Sequence, residues 1–197
     1  MRYLTHPQVD INAEIPVPQW SLSDVGRQRS ASLASADWLS ATTRIVASCE
    51  TKAIECAEII GEHLGLAVEK RQDMHENDRS STGFLAPDAF ETMADAFFRH
   101  PSQSIKGWER AVDASARIVA ELSAVLETST DGDLLIVGHG AVGTLLYCHL
   151  SGLAIDRAHD QPAGGGNYFS FSPESLDVAH GWLVMEMAPG QSHASSS

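Results

Sequence analysis

Basic residues are scarce in this chain. Thirteen Lys and Arg stand against 26 Asp and Glu, for a formal net charge of −13. A nucleic-acid surface needs the opposite balance, so no nucleic-acid partner is expected. An anionic ligand must instead find a locally positive pocket within an acidic molecule. Cysteine is scarcer still: three residues, with no CxxC and no zinc-finger spacing. Cys49 and Cys56, read as sharing one helix, are roughly 10 Å apart along it, beyond the ~7 Å Cα limit of a disulfide. Cys148 falls in an apolar run. Three unpaired thiols fit a reducing compartment. No run approaches the ~18 apolar residues of a membrane span. Nor does an apolar segment of the secretory kind follow Arg2. The expected location is the cytoplasm, with no membrane partner. Nine histidines are present, yet no HxxxH or HExxH, so neither metal nor cofactor is expected.

What is present is ordinary globular composition, 43% hydrophobic and 20% charged over 197 residues. One domain over 1–187 is expected, with a capping insertion near 73–101 and a flexible tail over 188–197. A short apolar stub ending at Leu4 reads as a first strand. Ser23 N-caps a helix expected to reach Leu39. Thr43–Ser48 is β-branched and reads as a strand. Glu50–Leu64 has helical spacing with Gly65 as its stop, and Ala67–Glu69 reads as another strand. Phe84, Leu85, Phe90, Met93, Phe97 and Phe98 point to short helices capping something. Ser104–Leu126 reads as a helix and Asp131–Asp133 as a turn. Leu134–Val137 is a continuous apolar run, the mark of a strand buried on both faces of a parallel sheet. Gly140–Leu150 is a helix, Asn167–Ser172 alternates like a strand, and Gly181–Met187 reads as its antiparallel neighbour. This order predicts an α/β three-layer sandwich, with a mostly parallel central sheet and helices on both faces.

Two histidines then stand out. His6 follows the first strand and His139 follows Leu134–Val137. In open parallel sheets ligands bind at the carboxyl ends of strands, so both imidazoles are expected at one crevice. The glycines of Ala163-Gly-Gly-Gly-Asn-Tyr168 precede a strand rather than a helix and lack the Lys-Ser/Thr of a phosphate loop. They read as a tight backbone approach to the pocket, or simply a loop.

Several motifs in order carry a resemblance. They are Leu4-Thr-His-Pro7, Asn12, Leu22-Ser-Asp-Val-Gly-Arg27, Ser48-Cys-Glu-Thr-Lys-Ala-Ile-Glu-Cys-Ala-Glu58, Met74-His-Glu76 and Val137-Gly-His-Gly140. Together they resemble the histidine phosphatase superfamily, with its phosphoglycerate-mutase-like fold. The resemblance implies a metal-independent phosphatase acting on a small phosphomonoester or phosphoprotein. His6 would be the nucleophile, forming a phosphohistidine. His139, Gly140 at the next helix start, Asn12, Arg27 and Lys52 would meet the phosphoryl oxygens, and Glu76 would protonate the leaving group. Glu69, Asp73, Asp78 and Asp88 are rivals for that last role. Arg27 has an alternative partner in Asp24, one turn away.

The chain also departs from the pattern. Thr5 stands where the family has arginine, Pro7 where it has glycine, and Lys52 where a second arginine is expected. Losing an arginine removes a planar, permanently charged fork, and one good transition-state donor is worth on the order of 10²–10³ in rate. Arg2, Arg27, Arg29 and Arg79 are candidates to fold in. The alternative function is an impaired relative that binds a phosphorylated ligand or a partner without turnover.

Overall fold

The computed structural model describes residues 1–128 and 132–190. Six strands form one sheet: β1 (Arg2–Thr5), β2 (Thr42–Ser48), β3 (Val68–Arg71), β4 (Asp133–Gly138), β5 (Asn167–Ser170) and β6 (Leu183–Val184). Their order across the sheet is β3-β2-β4-β1-β5-β6. The first four run parallel, and β5 and β6 add an antiparallel edge. Five α-helices cover the two faces: α1 (Asp24–Ala34), α2 (Thr51–Leu64), α3 (Pro87–Arg99), α4 (Ala111–Glu127) and α5 (Gly140–Leu150). The fold is the α/β sandwich expected from the order of elements.

Strand alternation divides the core in two. Tyr3, Val46, Leu134 and Ile136 face α3, α4 and α5, where Phe97, Trp108, Ile118, Leu122 and Leu145 meet them. Leu4, Ile45, Ala47, Leu135 and Val137 face α1 and α2, against Leu33, Ala53, Cys56 and Ile60. The Leu134–Val137 run is apolar throughout because its side chains enter two different cores, one on each side of the sheet.

Several boundaries differ from the expectation. The first α-helix stops at Ala34, and Asp37–Leu39 continues only as a 3₁₀ turn. The helix expected from Ser104 starts at Ala111, because Lys106 and Gly107 adopt φ of 49° and 86°, outside helical space. The aromatic cap contains one 13-residue helix, α3, rather than several short ones. The last strand is only two residues long: Trp182, just before it, packs on Phe169 and Tyr147, and the Met187 N–H turns back to the Val184 carbonyl at 2.9 Å just after it. Cys49 lies before α2 rather than in it. Asp131, and residues 191–197 of the expected tail, lie outside the described residues.

Gly164, Gly165 and Gly166 all take positive φ, 96°, 65° and 64°. This loop lies against the backbone at His6: Gly166 N–H donates to the His6 carbonyl at 3.0 Å. A Cβ on Gly165 would stand 2.6 Å from that same carbonyl oxygen. Gly165→Ala is therefore expected to destabilise the protein by about 1–3 kcal/mol, from left-handed strain plus a backbone collision. A urea midpoint equal to wild type would refute this.

Candidate active site

The site is assembled where β1 and β4 end side by side. The His6 N–H donates to the Gly138 carbonyl at 3.0 Å, which extends the ladder by one rung and sets His6 beside His139. The two rings are 5.3 Å apart, centroid to centroid, in an edge-to-face arrangement. His6 Nδ1 lies 2.8 Å from the Pro7 carbonyl oxygen. A carbonyl only accepts, so Nδ1 carries the proton and Nε2 keeps its lone pair. Pro7 thus supplies a carbonyl, which a proline retains.

His139 is completely buried. Its backbone is gripped by the Tyr3 hydroxyl, which donates to the His139 carbonyl at 3.2 Å and accepts from its N–H at 3.1 Å. Its Nε2 is 2.7 Å from Ser48 Oγ, and its Nδ1 has no hydrogen-bond partner. Burial, then the Lys52 charge, lowers His6 to about 4. Burial lowers His139 to about 3, although Glu50 pulls the other way. Both rings are neutral at neutral pH.

Lys52 stands in the first turn of α2 and is 3% exposed. It forms an ion pair with Glu50, and its Nζ donates to the Val17 carbonyl at 2.9 Å. Glu50 sits at the N-cap of α2. Its Oε1 accepts the Glu76 N–H at 2.8 Å and lies 3.7 Å from His139 Nε2. Burial pushes the Glu50 carboxyl up, but His139, Lys52 and the Glu76 N–H outweigh it and hold it at about 2. With His139 neutral, Lys52 is the charge that keeps this carboxylate ionised at physiological pH. The lysine that the sequence offers to phosphate therefore already has an anion beside it.

Glu76 is committed in a similar way. Its carboxylate accepts from Ala141 N at 3.1 Å, Val142 N at 3.0 Å and Asn77 N at 3.0 Å. The free N–H groups of α5, expected to meet phosphate, are capped by a side chain of the protein itself. Gly140 opens α5, and a Cβ there would stand 2.4 Å from Gln161 Nε2, so its smallness makes room for that amide.

Two expected phosphate ligands lie outside this cluster. Asn12 is exposed, and its Oδ1 accepts the Glu14 N–H at 2.9 Å within a turn. Arg27 is 45% exposed and pairs with Glu55 at 2.7 Å, not with Asp24. Thr5 turns toward β5, donating to Gln161 Oε1 at 2.6 Å and accepting from Asn167 N at 3.0 Å. Arg2 is tied to Asp133, and Arg29 to Glu186 at 2.6 Å. Arg79 is different: it lines the cleft, with its guanidinium over the Phe90 ring. Of the rival acids, Glu69 pairs with Arg44 at 2.7 Å and Asp78 lines the cleft.

A cleft of about 610 Å³ adjoins the histidines through Glu50, which lies 3.7 Å from His139; Val17, Glu50, His75, Glu76, Asn77 and Arg79 are among its lining residues, whereas His6 and His139 are not. Glu50 and Asn77 are the residues that the sequence reading missed. Glu50 was visible as an acid two places before Lys52, and a buried lysine requires such a partner.

Three comparisons bear on this arrangement. The sequence matches the family described as "Histidine phosphatase superfamily (branch 1)" over residues 4–173. No curated protein matches it. Among solved structures, mycobacterial glucosyl-3-phosphoglycerate phosphatase in complex with inorganic phosphate superposes with a TM-score of 0.75 at 22% identity, covering 95% of this chain and 99% of that one. Bacillus stearothermophilus YhfR gives 0.69 at 19% identity, covering 93% of each chain. A putative α-ribazole-5′-P phosphatase from Escherichia coli gives 0.68 at 15% identity, covering 90% and 92%. With 170 consecutive positions matched and the fold shared, the chain belongs to the histidine phosphatase superfamily, branch 1.

Proposed function

We propose that the chain hydrolyses a small phosphomonoester through a phosphohistidine on His6. The observation that carries this reading is the His6 tautomer. Nδ1–H is fixed on Pro7, and a neutral Nε2 remains available as nucleophile. In the proposed reaction Nε2 attacks phosphorus, the P–O bond to the alcohol breaks, and the leaving oxygen takes a proton. Water then cleaves the N–P bond and restores the imidazole. Glu50 is a poor acid at neutral pH, since it is held at about 2. Glu76, which lines the cleft, is the proposed proton donor, and to act it must give up N–H groups of α5 that its carboxylate now accepts. With Thr5 in place of an arginine, turnover should be slower than a full cation set would give.

A second reading is favoured by one observation, the Glu50–Lys52 pair. A carboxylate beside the buried lysine mimics a bound anion, which suits a protein that holds a phosphorylated ligand or partner without turning it over. Hydrolysis of an aryl phosphate by wild type and His6→Ala separates the two. The first reading expects wild-type turnover and a loss of about 10³-fold or more in the variant. Equal rates would eliminate His6 as nucleophile.

A pH profile follows from the two histidines. His6 attacks only when neutral, so kcat/KM should hold from pH 7 downward and be halved near about 4. Stability should fall with acid over the same range. The folded histidines sit below their unfolded value of about 6.5, so the unfolded chain binds protons first. Their contribution is complete above that value and is lost as pH drops toward 4 and 3. Glu50 adds a loss of the same sign below about 4.5. A urea midpoint unchanged between pH 7 and 4 would contradict this.

Glu50→Gln leaves Lys52 buried and unpaired, at an expected cost of about 3–5 kcal/mol. Inorganic phosphate should raise the Tm of this variant more than that of wild type, because it can replace the missing negative charge. Equal Tm shifts would count against Glu50 as an internal anion.

A further inference from the structure

Given that the cleft takes a phosphorylated ligand, as read above, we propose that Arg79 and Asn77 form its phosphate clamp and supply from a loop the cation that β1 lacks at Thr5. Two independent observations carry this. The first is the state of the Arg79 guanidinium. Of the four arginines considered as substitutes, Arg2, Arg27 and Arg29 are each paired with a carboxylate. Arg79 instead rests on aromatic faces, 4.9 Å from the Phe90 centroid and 5.9 Å from that of Trp108. Stacking leaves the edge of the fork, with its N–H donors, open to an anion.

The second observation is an unanswered amide. Asn77 lines the same cleft and is 4% exposed, and its Nδ2 has no hydrogen-bond partner. Six buried side-chain atoms among the described residues share that condition, and three of them, on Asn77, His139 and Asn167, belong to this end of the sheet. Buried polar atoms are rarely left unanswered; Asn167 Oδ1 is an acceptor, and Asn77 Nδ2 is the donor among them that lines the cleft, which points to an acceptor-rich ligand there.

The carboxylates of the cleft do not compete for Arg79. Glu50 is paired with Lys52, Glu76 caps α5, and Asp78 Oδ1 accepts the Ser80 N–H at 2.8 Å. The loop is also held in place from behind. Arg117 donates to the Asp73 and His75 carbonyls at 2.8 and 2.9 Å, and pairs with Glu109 at 2.8 Å. Glu109 in turn accepts the Asp78 N–H at 3.0 Å and donates its own N–H to the Asp78 carbonyl at 2.8 Å. A clamp mounted this way pays little ordering entropy when the ligand arrives.

The test is titration of the full chain with inorganic phosphate and with vanadate, followed by Trp fluorescence and calorimetry. Aryl phosphate hydrolysis is measured in parallel. Arg79→Gln is expected to weaken phosphate binding about tenfold or more, with Arg79→Lys intermediate because it keeps the charge but not the fork. Asn77→Ala should weaken binding in the same direction. Arg157→Gln, which removes surface pairs with Glu91 and Asp95, is the control and should leave binding unchanged. Wild-type binding should also fall with added salt. Equal phosphate affinity in wild type and Arg79→Gln, with both folded by circular dichroism, overturns the proposal. So does a wild type that binds no phosphate at millimolar concentration. If wild type binds phosphate through Arg79 but hydrolyses nothing, the clamp stands and the phosphohistidine reading falls. If both proteins bind and hydrolyse alike, the clamp falls and that reading stands.

Discussion

The parallel pairing of β1 with β4 is the constraint on which the site depends. It places Thr5 opposite Gly138 and lets the next residue of each strand leave the sheet at the same level. The Tyr3 hydroxyl then fixes the peptide at His139 from inside the core, and Gly138 must lack a side chain because a Cβ there would stand 2.3 Å from that hydroxyl. Two imidazoles separated by 133 positions of sequence meet because one strand register holds, with a buried phenol beneath it. The pairing lies at the centre of the sheet, with β2 and β5 protecting its edges. The geometry of the histidines therefore has the stability of the core rather than that of a loop.

Around that rigid pair the electrostatics have been rearranged. A phosphate site needs surplus positive charge near neutral imidazoles. Here Lys52 is matched by Glu50, and the α5 N-terminus is matched by Glu76. Each pairing satisfies a buried group that would otherwise be costly. Together they satisfy these buried groups from within the protein. Thr5, Glu50 and Lys52 are each satisfied by a partner within the protein. Thr5 joins Gln161 and Asn167 in a polar cluster, where an arginine at the same position would bring a charge with no carboxylate in that cluster to meet it.

The fold was legible in the sequence because it follows from patterning. An apolar run with no alternation marks β4, and β-branched residues mark β2. Gly65, at φ 69°, ends α2 as expected. The boundaries that were misread involve conformations that periodicity does not register, such as the left-handed pair Lys106 and Gly107 before α4. In the site, the ordered motifs located His6, His139, Lys52 and Glu76 at one end of the sheet. They could not show what each side chain touches. Asn12 and Arg27 match by spacing alone, and each finds a nearer partner in Glu14 or Glu55. Glu50 escaped notice because an acid at a helix start reads as a favourable dipole contact. Its importance depends on burial, which only the packed structure reveals.

The acidity of the whole molecule also takes on a different meaning. With a formal charge of −13, the long-range field repels a phosphate dianion. A local cation must then be positioned rather than merely present, because attraction falls off with screening while geometry does not. The rings of Phe90 in the cap segment and of Trp108 just beyond it provide that positioning by giving a guanidinium a surface to lie on. A cation held by stacking keeps its charge available, whereas one held by a carboxylate does not. This difference explains how a chain poor in basic residues can still present a guanidinium held by aromatic rings, rather than by a carboxylate, in its cleft.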